Sequence, residues 1–281
     1  MSDVQSAEAG PRTGVRGERS ARVRKYAGFA AIAVRQGVTD RAALLGRVGF
    51  YAVILFIFSK LWTVVAEKGA FPGASARDLL WYLALTEWVV LSQPLVHLQI
   101  ETDVRSGDIA YRLPRPISYL GGRLAESAGD FLLRAASLGV AGVVLATWMV
   151  GGLPDDPRGL LLAAPLGLLA GWVGLCFHAA IGLCAVWLQD CSPVYWIWQK
   201  CAFILGGLLL PLEVYPDWLR EIASWTPFAA MMHGPGRMAF GWQPEVALGV
   251  ALALSFWAVA ATGLVVWLYV RALRVLDVNG G

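Results

Sequence analysis

Enzyme chemistry needs reactive side chains gathered at one place, and this sequence offers few such groupings. His97, His178 and His233 are scattered over three different segments, and no H-E-x-x-H spacing prepares a zinc site. Cys176, Cys184, Cys191 and Cys201 include no C-x-x-C pair and read as small apolar packing residues. No G-x-x-x-x-G-K-[ST] run is present to cradle nucleotide phosphates. No Ser/His/Asp or Cys/His constellation stands out, so the sequence reads as a non-enzyme with no metal or cofactor of its own.

What does stand out is charge set in apolar text. Ionisable groups at bilayer depth are costly and point to function by default. Glu87 is flanked by Trp81, Tyr82 and Trp88, a setting that suits a cationic, apolar ligand. The plainer alternative is an ion pair with Lys60 or Lys200. Asp130 and Arg134 are four apart, so on a helix they share a face and can satisfy each other. Lys60 and Lys200 can snorkel to an interface, or Lys200 can face a central cleft beside Trp196, Trp198 and Gln199. Glu213 follows Pro211 at what reads as an outer mouth.

The densest polar text is ETDVRSGDIAYRLPRPISY, residues Glu101 to Tyr119. It carries Glu101, Asp103 and Asp108 against Arg105, Arg112 and Arg115, with a break at Gly107 and a stop at Pro114 and Pro116. A plain connector needs none of this, whereas a docking surface does.

The elements that must position these groups are apolar. The chain is 57% hydrophobic and 15% charged, with 13 Trp and 31 Gly. Soluble domains are about 45–50% apolar and about 25% charged. A spanning helix needs roughly 20 apolar residues, and six runs qualify: Ala43–Ala66, Leu79–Ile100, Leu120–Val150, Leu160–Leu188, Val194–Leu212 and Glu245–Val270. Residues 1–20 lack an apolar signal region and read as a disordered cytosolic tail. Residues 21–40 repeat Tyr26, Phe29, Ala30, Ala33 and Val34 at helical spacing, as in an amphipathic interfacial helix. Fifteen Lys/Arg fall on the side of the two termini and the Glu101–Tyr119 loop, against five on the other. The positive-inside rule therefore expects both termini and that loop in the cytosol.

Between the fifth and sixth runs, Leu210 to Gly241 is cut by Pro211, Pro216, Pro227 and Pro235 into two short helical pieces. Trp218, Leu219, Ile222, Trp225 and Phe228 make it too apolar for a free external loop.

Six runs, an interfacial helix before the first, and a structured loop after the second, from Ile100 through Asp108-Ile109-Ala110 to Leu113-Pro114-Arg115-Pro116, resemble the permease subunits of type-2 ABC exporters. The likeness covers nearly the whole chain beyond the N-terminal tail and is greatest for permeases made as separate chains from their ATPase. It implies an all-α integral membrane protein with a six-span permease domain over residues 41–273 and a cytosolic tail over 274–281. It further implies a cytosolic coupling helix, and external re-entrant helices before the last span. The function it implies is export of a small amphiphile, drug, lipid or peptide across a bacterial plasma membrane by alternating access. ATP and Mg would sit on two copies of a partner ATPase, and a second permease, identical or similar, would complete the pathway. Glu101, Asp103, Arg105, Gly107, Asp108, Arg112 and Arg115 would then dock the ATPase. Glu87, Trp88, Gln93, Gln199, Lys200 and Phe203 would line the substrate cavity. A membrane-embedded enzyme, or a transporter working without an ATPase, is the alternative. No nucleic-acid partner is expected from a net charge of +3.

Overall fold

The computed structural model describes residues 14–67, 75–112, 117–208 and 210–279. The regular elements among the described residues are all helices, with no β-strand. In chain order the helices are α1 (Gly14–Thr39), α2 (Arg41–Glu67), α3 (Ala76–Leu91), α4 (Val96–Arg105), α5 (Asp108–Arg112), α6 (Tyr119–Val150) and α7 (Arg158–Leu183). They continue with α8 (Ala185–Leu188), α9 (Ser192–Leu205), α10 (Asp217–Ser224), α11 (Pro227–Met231), α12 (His233–Gly236) and α13 (Pro244–Asn279). Single 3₁₀ turns lie at Leu212–Val214 and Arg237–Phe240.

Among the described residues, five helical stretches are long and apolar enough to cross a membrane: Arg41–Val64, Ala76–Arg105, Tyr119–Val150, Arg158–Leu188 and Pro244–Leu276. Helices α2 and α13 keep broad apolar faces uncovered, among them Phe50, Phe56, Ile57, Leu252, Phe256 and Val259. Exposed apolar area on that scale fits a lipid surround and not water. The described elements are thus all helical and compatible with a multi-pass membrane protein, with α3 and α7 forming much of the interior. Trp81, Tyr82, Leu83, Leu138 and Leu175 are fully enclosed there.

The fifth predicted run, Val194–Leu212, does not form a sixth long helix. Helix α9 has 14 residues, about 21 Å at 1.5 Å per residue, against roughly 30 Å of hydrocarbon. It stops because Gly206 and Gly207 follow; Gly207 turns left-handed, with φ of 65°, a conformation that glycine adopts without strain. Tyr82 clamps the turn by donating its hydroxyl to the Gly207 carbonyl at 2.5 Å, and Thr86 donates to Leu208 at 3.1 Å.

The second predicted run, Leu79–Ile100, is helical but broken between α3 and α4. Pro94 has no N–H to continue the ladder and its ring crowds the carbonyl four residues back. Residues just before a proline also avoid the helical region. The N-terminus of α3 is well specified: Ser75 and Asp78 form a reciprocal capping box, Asp78 N–H donating to Ser75 Oγ at 3.2 Å and Ser75 N–H to Asp78 Oδ2 at 3.1 Å.

Helix α1 begins at Gly14, inside the stretch read as a tail, and residues 1–13 lie outside the described set. Its predicted apolar stripe packs on protein: α1 lies along α6, and Gly129 of α6 has no room for a Cβ because the Ala30 backbone occupies that space. Asp40 separates α1 from α2 and caps the latter, accepting the Ala43 N–H at 3.1 Å. At the other end α13 runs on through the segment from residue 274 that reads as a tail.

Three prolines of the 210–241 segment lie at element starts, Pro211 before the 212–214 turn among them, whereas Pro235 lies within α12, and the segment forms more than the two expected pieces. Pro216 precedes α10 and Pro227 opens α11. Helices α11 and α12 and the 237–240 turn fold back against α3 and α7, burying Phe228, Met231, Met232 and Met238. Helix α10 leaves Trp218, Ile222 and Trp225 exposed.

Candidate functional site

The break in the second apolar run creates a site. Where α3 ends, Ser92 sends both its N–H, at 3.1 Å, and its hydroxyl, at 2.6 Å, to the Trp88 carbonyl. The freed Gln93 carbonyl accepts Arg134 Nη1 at 3.1 Å. The His178 ring of α7 faces the Pro94 carbonyl. Arg134 is itself held on Asp130, with Nε at 2.8 Å from Oδ1. The pair expected from four-residue spacing is therefore formed, and its guanidinium also holds the broken backbone. Irregular backbone at membrane depth persists only where protein or a cavity satisfies it.

Beside the break lies a partly open cavity of about 290 Å³ lined from α2, α3, the α3–α4 junction, α6, α7, α9 and the α11–α12 turn. Gln93, Gln199 and Phe203, three of the expected lining residues, do line it. The other three do not. Trp88 points to the opposite side of α3, donating Nε1–H to the Ala135 carbonyl at 2.8 Å and lining a separate apolar cavity of about 180 Å³ with Tyr51 and Trp81. Glu87 is buried at 5% exposure and has no hydrogen-bond or ion-pair partner among the described residues. Lys60 lies over the Phe56 ring at 5.8 Å, and Lys200 over Trp196 at 5.4 Å, so neither pairs with Glu87. Each lysine sits on an aromatic neighbour of its own helix, one turn or less away.

The sequence reading missed Arg47, Arg134, His178, Tyr195 and Trp198 on this wall. Arg47 looks like one more basic residue at a helix start. Nor are all three histidines scattered: His97 stacks on Tyr195 with centroids 3.9 Å apart, and His178 meets both edge-on at 5.6 Å. Gln93 Oε1 and the Nδ1 atoms of His97 and His178 are buried without a hydrogen-bond partner among the described residues. The signal that could have found the site is Gln93-Pro94 inside an otherwise continuous apolar run. No group of His, Cys, Asp or Glu among the described residues is arranged to hold a metal.

Helix α4 connects this cavity to the charged turn. Its ten residues span about 15 Å. At the far end Gly107 reverses the chain with φ of 77°, and α5 follows. Glu101 and Asp103, expected to dock a partner, are buried among residues of this chain. Asp103 accepts the Tyr119 hydroxyl at 2.6 Å and Arg123 Nε at 2.8 Å, with Arg112 at 3.8 Å. Glu101 pairs with Arg105 at 3.2 Å and accepts the Cys191 N–H at 3.3 Å. Buried carboxylates need such partners, and the chain supplies them from α6 and from the start of α9. Outward there remain Arg105, Ser106, Asp108 and Tyr111, the last 79% exposed. Arg112 is half-buried, and Arg115 lies outside the described residues.

A second polar group closes the other end of α3. Tyr82 also hydrogen-bonds His233 Nδ1 at 3.0 Å, while Glu213 lies 3.5 Å from His233 and 3.3 Å from Arg237. Burial pushes the Glu213 carboxyl up, but His233 and Arg237 outweigh it and hold it at about 2. No protein-family model matches this chain, and comparison with curated proteins gives no match either.

Proposed function

We propose that this chain is the permease subunit of an ATP-driven exporter resembling the type-2 ABC class. The observation that carries this reading is the mechanical continuity of α4. One end borders a cavity at a helix break, and the other ends in an exposed, charged, glycine-hinged turn. A push on Arg105, Asp108 and Tyr111 would move α4 as a rod and change the distance between the α3–α4 junction and α9. That is alternating access driven from outside the bundle, with ATP and Mg on two partner ATPase chains. In this arrangement the termini and the turn face the cytosol of a bacterium, and α1 lies at the inner interface. Helix α9 together with the α10–α12 segment makes the sixth crossing, the latter as a re-entrant element. A second permease, identical or similar, faces the first across the pathway.

The test is purification of the tagged full chain from its native membrane in mild detergent. A nucleotide-binding ATPase should co-purify in about equal amount, and vanadate should block export. A chain recovered alone, with transport abolished by a protonophore and indifferent to vanadate, would replace this reading with its rival. That rival, an ion-coupled transporter, has one observation in its favour: broken helices commonly build the binding sites of such proteins.

A further inference from the structure

The cavity at the α3–α4 break has a charge that the sequence did not suggest. Glu87, the acidic residue read as a cation site, does not line it. The ionised side chains in its wall are Arg47 and Arg134, and no carboxylate is among the lining residues. Arg134 is neutralised by Asp130. Arg47 is not: Asp40 and Asp130 act on it at a distance, but it has no hydrogen bond or ion pair among the described residues. It is half-buried, so its charge is only partly solvated.

The wall holds two further unsatisfied groups, Gln93 Oε1 and the wholly buried Nδ1 of His178. Buried polar atoms are normally paired, and each exception asks for a partner. Apart from Gln199 and Tyr195 the remainder of the wall is apolar, with Val89, Val90, Phe203, Leu208, Met231 and Met232 among it. A site with a cationic corner, a few hydrogen-bonding atoms and an apolar floor selects a molecule with an anionic head and a hydrocarbon body. At about 290 Å³ it is at the low end of small-molecule sites, which run from roughly 300 Å³. A cavity at that lower bound favours one acyl chain over two.

We infer that this cavity binds a single-chain anionic amphiphile, its acid group on Arg47 and its chain against Phe203 and the methionines. The inference rests on the transport reading only for what becomes of the bound molecule. Its binding test needs no motor, so a missing ATPase would defeat the proposed function and leave this result standing.

The experiment is calorimetric titration of the full chain, held in a non-ionic amphipol, with dodecanoate, dodecyl phosphate, dodecyltrimethylammonium and dilauroyl phosphatidate. Dodecanoate and dodecyl phosphate should bind at least tenfold more tightly than the ammonium probe. Arg47→Gln should remove that preference, and Arg47→Lys should keep it within about threefold. Equal binding of the cationic probe to the wild-type chain overturns the inference, whatever the variants do. So does an unchanged preference in Arg47→Gln. Tighter binding of the two-chain phosphatidate would overturn the single-chain assignment and make the occupant a membrane lipid.

Discussion

Replacing Asp103 by Asn tests whether the charged segment is held from within or displayed to a partner. The Asp103 side chain is 6% exposed and its partner Arg123 is 11% exposed. Removing one member of a buried ion pair leaves the other uncompensated and costs about 3–5 kcal/mol. Here Glu126, 3.0 Å from Arg123, retains part of the arginine's charge balance, which sets the expected loss at the lower end, about 3 kcal/mol. For a chain of this size that is a fall in melting temperature of about 6–12 °C. Tyr119→Phe removes one hydrogen bond to the same carboxylate, worth about 1.5 kcal/mol, and should lower the melting temperature about half as far. Arg112→Ala, at 3.8 Å and 39% exposed, should cost under about 1 kcal/mol. Thermal unfolding of the three variants in one detergent gives the ranking directly. An Asp103→Asn shift under about 3 °C, or a larger effect from Arg112→Ala, would refute the internal-clamp account.

Asp108→Ala combined with Tyr111→Ala should leave melting within about 2 °C of wild type, since both side chains are exposed and exposed substitutions usually shift stability by under about 0.5 kcal/mol, yet abolish coupling of transport to ATP hydrolysis in reconstituted vesicles. Gly129→Val forces a side chain into the Ala30 backbone and should cost about 1–3 kcal/mol; faster protease cleavage within α1 would report its release from α6. Glu213 is held below its ordinary value of 4.5, at about 2. Its stabilisation is therefore present above pH 4.5 and lost as pH falls toward 2. Glu213→Gln should lower the melting temperature above pH 4.5, where the charge contributes, and match wild type near pH 2, so that the profile between is flattened.

The long helices were legible because apolar runs report burial from water regardless of partners. Residues 119–150 and 158–188 needed no tertiary information. Helix α9 was overestimated because hydropathy ignores backbone conformation: Leu208 and Leu210 keep the run apolar while Gly206 and Gly207 end the helix. The reverse error occurred at Gln93-Pro94, where one proline was averaged away by its neighbours. The cavity was half legible. Gln93, Gln199 and Phe203 belong to segments expected to face each other, but Arg47 reaches the same wall from α2, a meeting that no local spacing encodes. At Glu101 and Asp103 the charge pattern did not reveal burial. A carboxylate read as surface-exposed becomes interior when an arginine 20 residues away reaches it.

The shortness of α9 has a consequence for the surrounding lipid. Its exposed Trp196, Ile197 and Ile204 belong to a helix about 9 Å shorter than an average hydrocarbon layer. In the proposed topology α9 and the α10–α12 segment share one crossing, so lipid on that flank meets short helical pieces joined by turns in place of one continuous rod, and mismatch there costs a fraction of a kcal/mol per Å.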